Sequence, residues 1–526
     1  MYDYVIIGGG SAGCVLAARL SEDPDVTVCL IEAGPPDTSP NIHVPAGAAK
    51  LFRTQLDWDY DSHLEPFCND RRIYLPRGRV LGGTGSINGM VYTRGNRLDY
   101  DSWGQPGWSF DELLPYFVRA EDNERGASEF HGAGGPLSVS ENRSRNPMSD
   151  AFIAAALEAG YPATDDFNGP SQDGFGYYQV TQRDGMRCSS TVAYLDPARE
   201  RPNLTIETGL QVHRVLMENG RAAGVTGARA DGEVVIRAER EVILSAGAYN
   251  TPQLLMLSGI GPADLLTALG IPVVVDQPLV GQNLQDHPQF WLVYAHSEPV
   301  SLLAAGEPRH QQQFAEHHSG PLSSNGPEAG GFIRSRPDLP APDLQFVSLP
   351  VMYVDGGLGF PSGHAISFGA YVLQPRSRGS VTLAGDDPTA KPRITHNYYA
   401  DEEDLRIAVE GVRAALRIAG QKALSRFTEQ PKSVPASESD ADIRDFLLRN
   451  TQSSYHAAGS CSMGLVTDAE LRVLGTEGLR VADASVMPRL VSGNTNAPTV
   501  AIAEKAADLI RGRAPLTRTA VAAVGG

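Results

Sequence analysis

Hydrophobic and polar positions follow two alternating rhythms along this chain, with a period near two and a period near 3.6. Tyr4 to Ile7 is a short β-branched run, suited to a strand buried in a parallel sheet. It leads into Gly8-Gly9-Gly10-Ser11-Ala12-Gly13, after which Cys14 to Leu20 spaces its apolar residues as a helix does. A second strand, Val26 to Ile31, ends on Glu32. Val242 to Leu244 predicts another strand, followed by small residues and a helical stretch at Leu254 to Leu257. Asp343 to Leu349, Ala365 to Leu373 and Gly379 to Leu383 read as strands of a further sheet, and helical periodicity returns at Glu402 to Leu416. A last helix places Val500, Ile502, Ala506 and Leu509 on its apolar positions.

The first glycines have separate physical tasks. Gly8 permits a tight turn, Gly10 lets backbone approach a pyrophosphate, and Gly13 lets helix and strand pack closely. The helix N-terminus offers unpaired N–H groups and a positive dipole end. Glu32 follows the glycines by about twenty residues, where a ribose hydroxyl is held and a 2′-phosphate disfavoured. Strand, helix, strand and terminal acid together predict dinucleotide binding. Alone they leave FAD and NAD open.

Later segments bear on that choice. Pro76 to Met90 is a second glycine-rich stretch with few side chains able to fill a core, so it predicts a loop lying against something flat or anionic. The strand at Val242 suggests a return to the nucleotide sheet. Gly478 to Pro488 and Gly493 to Thr499 add two more such pieces near the end of the chain. A nicotinamide dehydrogenase usually keeps its cofactor domain contiguous, whereas a long FAD can be enclosed from several parts of a chain.

Bulk properties narrow the classes further. A chain of 526 residues exceeds one hydrophobic core and predicts two domains. Its net charge of −18 disfavours nucleic acid or an anionic membrane as partner. The cysteines Cys14, Cys29, Cys68, Cys188 and Cys461 are scattered and form no CxxC pair, so no metal site or disulfide framework is expected. No basic leader precedes the first strand, and no apolar run approaches the roughly 18 to 20 residues of a membrane span. The expectation is a cytoplasmic, soluble protein.

PRGRVLGGTGSINGM, GAYNTPQLLMLSGIG and GLRVADASVMP followed by SGNTNAPT resemble, in order and end to end, the motifs of the glucose–methanol–choline (GMC) oxidoreductases. The resemblance implies an α/β fold: a discontinuous Rossmann-like FAD-binding domain over residues 1–155, 195–290 and 455–526. It also implies an α+β substrate domain, over 156–194 and 291–454, whose antiparallel sheet roofs the flavin. Carried over by position, it puts FAD phosphates on Gly8, Gly10 and Ser11, with Gly13 behind them, and the ribose on Glu32. The flavin would lie against Val80, Gly82, Gly83, Asn88, Gly89, Met90 and Val91. Arg79 and Ala246 are further cofactor positions, and Val212 would meet the adenine. Asp483 and Ala484 would approach the pyrophosphate, and Asn496 and Thr499 the pyrimidine edge of the flavin. Some choline-oxidising relatives attach FAD through a histidine where this chain has Ile87, so noncovalent FAD is expected.

Alcohol oxidation needs a base for the hydroxyl proton, and histidine titrates in the right range. His456 lies among small residues in Ser454-Tyr455-His456-Ala457-Ala458-Gly459-Ser460, which resembles the family's catalytic stretch. The resemblance implies a second catalytic position, His or Asn in the family, which falls on Asn494; asparagine cannot take a proton at neutral pH, leaving His456 as the single base. Tyr455 and Glu328 are expected at the substrate, the glutamate resembling one that holds a trimethylammonium group in choline oxidisers. IEAGPPDTSPNIHVPAG and QRDGMRC are more similar to sugar- and polyol-oxidising members such as sorbose dehydrogenases. His287 reads as structural, the His317-His318 pair as solvated loop, and Cys461 as packing. The expected reaction is FAD-dependent oxidation of a primary or secondary alcohol, with oxygen, a quinone or an artificial acceptor left open. The alternatives are a hydroxynitrile lyase-like enzyme, a flavin photodecarboxylase and a nonenzymatic flavin-binding protein.

Overall fold

The computed structural model describes residues 1–517 and is organised by two large sheets. In the first, Leu204–Glu207, Val28–Ile31, Tyr2–Ile7, the end of Gly232–Leu244 and Leu479–Val481 lie side by side and parallel. Ile6 stands opposite both Leu30 and Ile243, and all three are buried. This explains the continuous apolar runs, since helices and loops cover both faces of a parallel sheet. Gln211–Glu218, Arg221–Arg229 and Gly232–Leu244 form an antiparallel meander whose last strand runs on into the parallel sheet.

Pieces from the start, middle and end of the chain thus share one sheet. The end is fastened to the beginning by a buried acid. Glu504, on helix Asn496–Ile510, accepts from Arg19 at 2.9 Å, on helix Ser11–Leu20, and from Tyr194 at 2.8 Å, and pairs with Arg119 at 2.7 Å. Burial opposes its ionisation, but the two guanidinium groups outweigh that and hold the carboxyl below its usual range.

The second sheet is antiparallel, in the order Gln430–Ser433, Leu292–Ala295, Ala365–Val372, Leu344–Leu349, Ala329–Ile333, Gly174–Tyr177. Its side chains alternate between two apolar layers. Leu344, Phe346, Phe368 and Ala370 face a layer with helices Pro147–Glu158 and Glu402–Ala419. Val347, Tyr371, Trp291, Phe332 and Tyr178 face the other way and pack with Val91. Pro288–Gln289 also joins this sheet, pairing with Tyr371 and with Gln452–Ser453.

The strands expected at 343–349 and 365–373 are in this roof. The stretch from Gly379 is not: Ser380–Thr382 pairs only with Arg393–Thr395, in a separate hairpin. The helix expected from Leu254 begins earlier, at Gly247, and runs through Pro252 to Leu257. All five cysteines are buried and unpaired. Among the described residues, no cluster could hold a metal ion, and no helix is long and apolar enough to cross a membrane.

Candidate active site

A deep cleft lies between the two sheets, and three helix N-termini open into it. Ser11–Leu20, Gly247–Leu257 and Asn496–Ile510 all lack a side-chain cap. Ser11, Gly247 and Asn496, their first residues, line the cleft. The Ser11 and Asn496 ends leave N–H donors and partial positive charge facing inward, each worth roughly 0.3–1 kcal/mol to an anion, whereas at the third end the Gly247 N–H is already given to Asp483 Oδ2 at 2.8 Å. This suits the phosphates of a dinucleotide.

The glycines shape the same wall. A Cβ on Gly13 would lie 1.9 Å from the Gly8 carbonyl oxygen, so helix and strand meet there only through glycine. Gly83 has φ +55°, and a Cβ on it would stand 2.7 Å from the Gly10 Cα. Gly10 itself is different: a Cβ there would meet only the Gly83 Cα, at 3.8 Å. The space in front of it belongs to the cleft. Glu32 lines the cleft and is anchored by Gly9 N–H at 2.9 Å and Gly34 N–H at 2.8 Å; burial pushes its carboxyl up to about 7.

The cleft gathers most of the expected cofactor positions. Gly8, Gly10, Ser11, Glu32, Gly83 and Asn88 line it, as do Met90, Val91, Val212 and Ala246, and Asp483, Ala484, Asn496 and Thr499 complete that set. Ile87 lines it too, with no atom able to bond a flavin. Five expected positions stand behind the wall. Gly13 packs helix on strand, and Val80 is buried with Ile42, Leu51, Leu56 and Ile87. Gly82 donates its N–H to the Gly9 carbonyl at 2.7 Å, Arg79 stacks over Trp58, and Gly89 abuts Pro327. A donor set of this kind, over a cleft walled by glycine backbone and three helix ends, fits FAD.

At the far end of the cleft the structure brings His456 and Asn494 together, with Asn494 Nδ2 3.0 Å from His456 Nε2. The asparagine is fixed from its other side. Its Oδ1 accepts from Gln345 Nε2 at 3.0 Å and from the Thr93 hydroxyl at 3.4 Å, with the Tyr371 hydroxyl at 3.5 Å. Its amide hydrogens therefore point to His456, whose Nε2 must be the acceptor.

The opposite edge of the ring leads to the same assignment. His287 Nε2 lies 3.0 Å from the Leu373 carbonyl oxygen and so carries a hydrogen, which leaves its Nδ1 as an acceptor. His456 Nδ1, 2.9 Å away, is then the donor, and Ser454 Oγ at 3.1 Å offers it a second acceptor. His456 is a neutral imidazole, protonated on Nδ1 and bare on Nε2, the atom beside Asn494 at the cleft. Burial first, then His287, depresses its pKa well below 6.5. Asp286 accepts from the His456 backbone N–H at 2.8 Å, from Tyr398 at 2.5 Å and from Ser453. It anchors the loop and does not touch the ring nitrogens.

Tyr455 lines the cleft at φ +69°, its hydroxyl 3.0 Å from that of Tyr353 and its pKa pushed up to about 12 by burial. Glu328 requires a correction. Its carboxylate is fully buried away from the cleft and accepts from Asn146 N–H, Ser149 Oγ and Ser324 Oγ at 2.9, 2.8 and 2.6 Å. A glutamate so saturated braces the turn before strand Ala329–Ile333, and it is not among the residues that line the cleft. His287, expected to be structural only, stands directly on His456. Gln345 and Tyr371 carried no sequence signal, because a lone residue in a strand looks like any other, and Thr93 lies outside any regular element.

Fold and cleft together define a flavin-dependent oxidoreductase. The GMC oxidoreductase family models match residues 2–289 and 375–503. An oxygen-dependent choline dehydrogenase of Paraburkholderia phymatum is 45% identical over 536 residues, covering 98% of this chain and 94% of the relative. One from Burkholderia ambifaria is 43% identical, covering 99% and 95%. Among solved structures, pyridoxine 4-oxidase from Mesorbium loti is 32% identical with a TM-score of 0.90, covering 98% of this chain and all of that one. An Aspergillus oryzae formate oxidase variant is 29% identical with a TM-score of 0.89, covering 97% and 98%. This chain belongs to the GMC oxidoreductase family, and its cofactor is FAD.

Proposed function

We propose that the protein oxidises a small alcohol to its carbonyl, with His456 Nε2 taking the hydroxyl proton and Asn494 holding the oxygen. The single observation that carries this reading is the bare Nε2 of a neutral histidine, 3.0 Å from an amide donor, at the end of the FAD cleft. Bound FAD would supply the acceptor for the hydride, which carries both electrons of the oxidation. The chain's own residues do the rest. His456 is neutral before substrate arrives, so no proton has to leave it first. Asn494 donates to the oxygen as its negative charge develops, and Gln345 and Thr93 keep the amide from turning over.

The relatives named as oxygen-dependent choline dehydrogenases support choline-type alcohols as the first substrates to test and oxygen as the first acceptor. Phe52 and Tyr455, which line the cleft, offer ring faces on which a quaternary ammonium can rest. Five unpaired cysteines suit a reducing compartment, and we place the enzyme in the cytoplasm. The test is anaerobic mixing of holoenzyme with choline, benzyl alcohol, sorbitol and pyridoxine, followed by flavin absorbance. Bleaching by any one of them supports alcohol oxidation. Product formed without bleaching is the lyase outcome and would overturn it.

A further inference from the structure

Arg187 ends the hairpin formed by Gln182–Arg183 and Met186–Arg187, and it is 2% exposed. Its guanidinium has only neutral company. Nε donates to the Ile42 carbonyl at 2.8 Å, and Nη1 to the Gly85 carbonyl at 3.1 Å and to Asn88 Oδ1 at 2.7 Å. Nη2 is buried without a partner. No carboxylate pairs with it among the described residues, and burial alone acts on its pKa, pushing it down to about 9. Proteins rarely bury a cation without an anion, because the desolvation cost is several kcal/mol.

The two acceptors on Nη1 show what the charge is placed against. Gly85 and Asn88 belong to the glycine-rich loop, and Asn88 lines the cleft. Asn88 Oδ1 also accepts the Met90 N–H at 3.0 Å, and Met90 sits at φ +54°, a conformation an ordinary side chain seldom takes. Both acceptor sites of the Asn88 amide are therefore used from behind, which leaves its NH₂ group for the cleft.

We propose that Arg187 is a positioning residue for the flavin, fixing the Asn88 amide toward it and supplying the buried positive charge that favours its reduced, more negative state. This rests on the reading that FAD lies against Asn88. The arginine does not enter the cleft; it acts through Asn88 and through its field, which is strong at low dielectric.

The test compares purified holoenzymes carrying Arg187→Lys and Arg187→Gln, the second neutral but still able to donate to Asn88. The readout is the midpoint potential of bound flavin, by equilibration with a reference dye, alongside flavin content and melting temperature. Arg187→Gln is expected to weaken binding of reduced relative to oxidised flavin about tenfold, a fall of about 30 mV for a two-electron couple. Arg187→Lys is expected to keep most of the wild-type potential. Two variants with wild-type potentials, or two that fall equally, would overturn the proposal. Variants that fold but hold no flavin would overturn a role limited to positioning and potential, whereas an Asn88→Ala holoenzyme with wild-type flavin content and potential would count against the placement of FAD at Asn88.

Discussion

His287 and His456 meet through their Nδ1 atoms at 2.9 Å, and a single proton lies between them. The Leu373 carbonyl, by claiming the other nitrogen of His287, assigns that proton to His456. A neutral imidazole thus orients the His456 ring as a carboxylate orients the histidine of a hydrolase triad, but without adding charge. Replacing His287 by Leu should free the ring to adopt the other tautomer and lower the flavin-reduction rate about 10- to 100-fold. Substrate affinity should change little. His456→Ala should cost about 10²- to 10⁴-fold in the same rate. Anaerobic stopped-flow absorbance separates the two parameters, and a His287→Leu enzyme that reduces its flavin normally would refute the tautomer lock.

The same burial predicts the pH profile. A group with a depressed pKa holds its neutral form until the pH falls through the folded-state value. His456, well below 6.5, should keep flavin reduction constant from pH 8 down past 6.5, with the acid limb lower still. Asn494→Asp sets a carboxylate against Nε2 and favours the imidazolium, so the limb should move up in pH. A wild-type limb at or above 6.5 would contradict the assignment of His456 as the buried base.

Glu328 makes a prediction about stability instead of specificity. Its three donors converge on a carboxylate, and Glu328→Ala leaves all three without that acceptor. The variant should melt earlier, by the equivalent of about 1–3 kcal/mol. The ratio of kcat/KM for choline to that for benzyl alcohol should be unchanged within twofold. Selective loss of the cationic substrate would return Glu328 to the substrate pocket.

His396 links acid sensitivity to one residue. It is buried, bonded to the Tyr249 hydroxyl at 2.9 Å, and lowered to about 4 by burial. The unfolded chain binds this proton near 6.5 and the folded one near 4, so its contribution is fully present above 6.5 and lost as pH falls between the two. Glu32 and Glu65, both raised to about 7, slope the other way, so only a difference between variants isolates the histidine. His396→Gln should flatten the stability–pH curve over that window by about 1.4 kcal/mol per pH unit. Urea unfolding at pH 4.5, 5.5 and 6.5 measures it, and parallel wild-type and variant curves would reject the role.

What the sequence revealed follows from where each signal resides. The first strand–glycine–helix unit is local, so period and glycine spacing were enough to read it. His456 and Asn494 stood in motifs and were legible for the same reason. Glu328 misled because an isolated glutamate beside glycines and aromatics looks like a binding carboxylate until its three donors are seen, two of them 182 and 179 residues away along the chain. Gln345 and Tyr371 escaped because they come from strands of the roof and reach Asn494 only once the sheet has formed. Gly379 to Leu383 has a sound strand pattern, but nothing in that pattern states which sheet it joins.

Gly10 and Gly13 allow the cofactor's needs to be separated from the fold's. Gly13 has the Gly8 carbonyl where its Cβ would go, so Gly13→Ala must push helix Ser11–Leu20 off strand Tyr2–Ile7. It should lose about 1–3 kcal/mol or more with or without FAD, as overpacking does. Gly10 has room within the protein, and only a ligand would meet its new methyl. Gly10→Ala apoenzyme should melt with the wild type, while its FAD dissociation constant rises at least tenfold. Thermal melts of apo and FAD-loaded protein make the comparison, because a bound ligand stabilises only the form that binds it. If Gly10→Ala keeps the full FAD-induced rise in melting temperature, the cofactor does not approach the backbone there, and the phosphates must be sought at the other two helix ends.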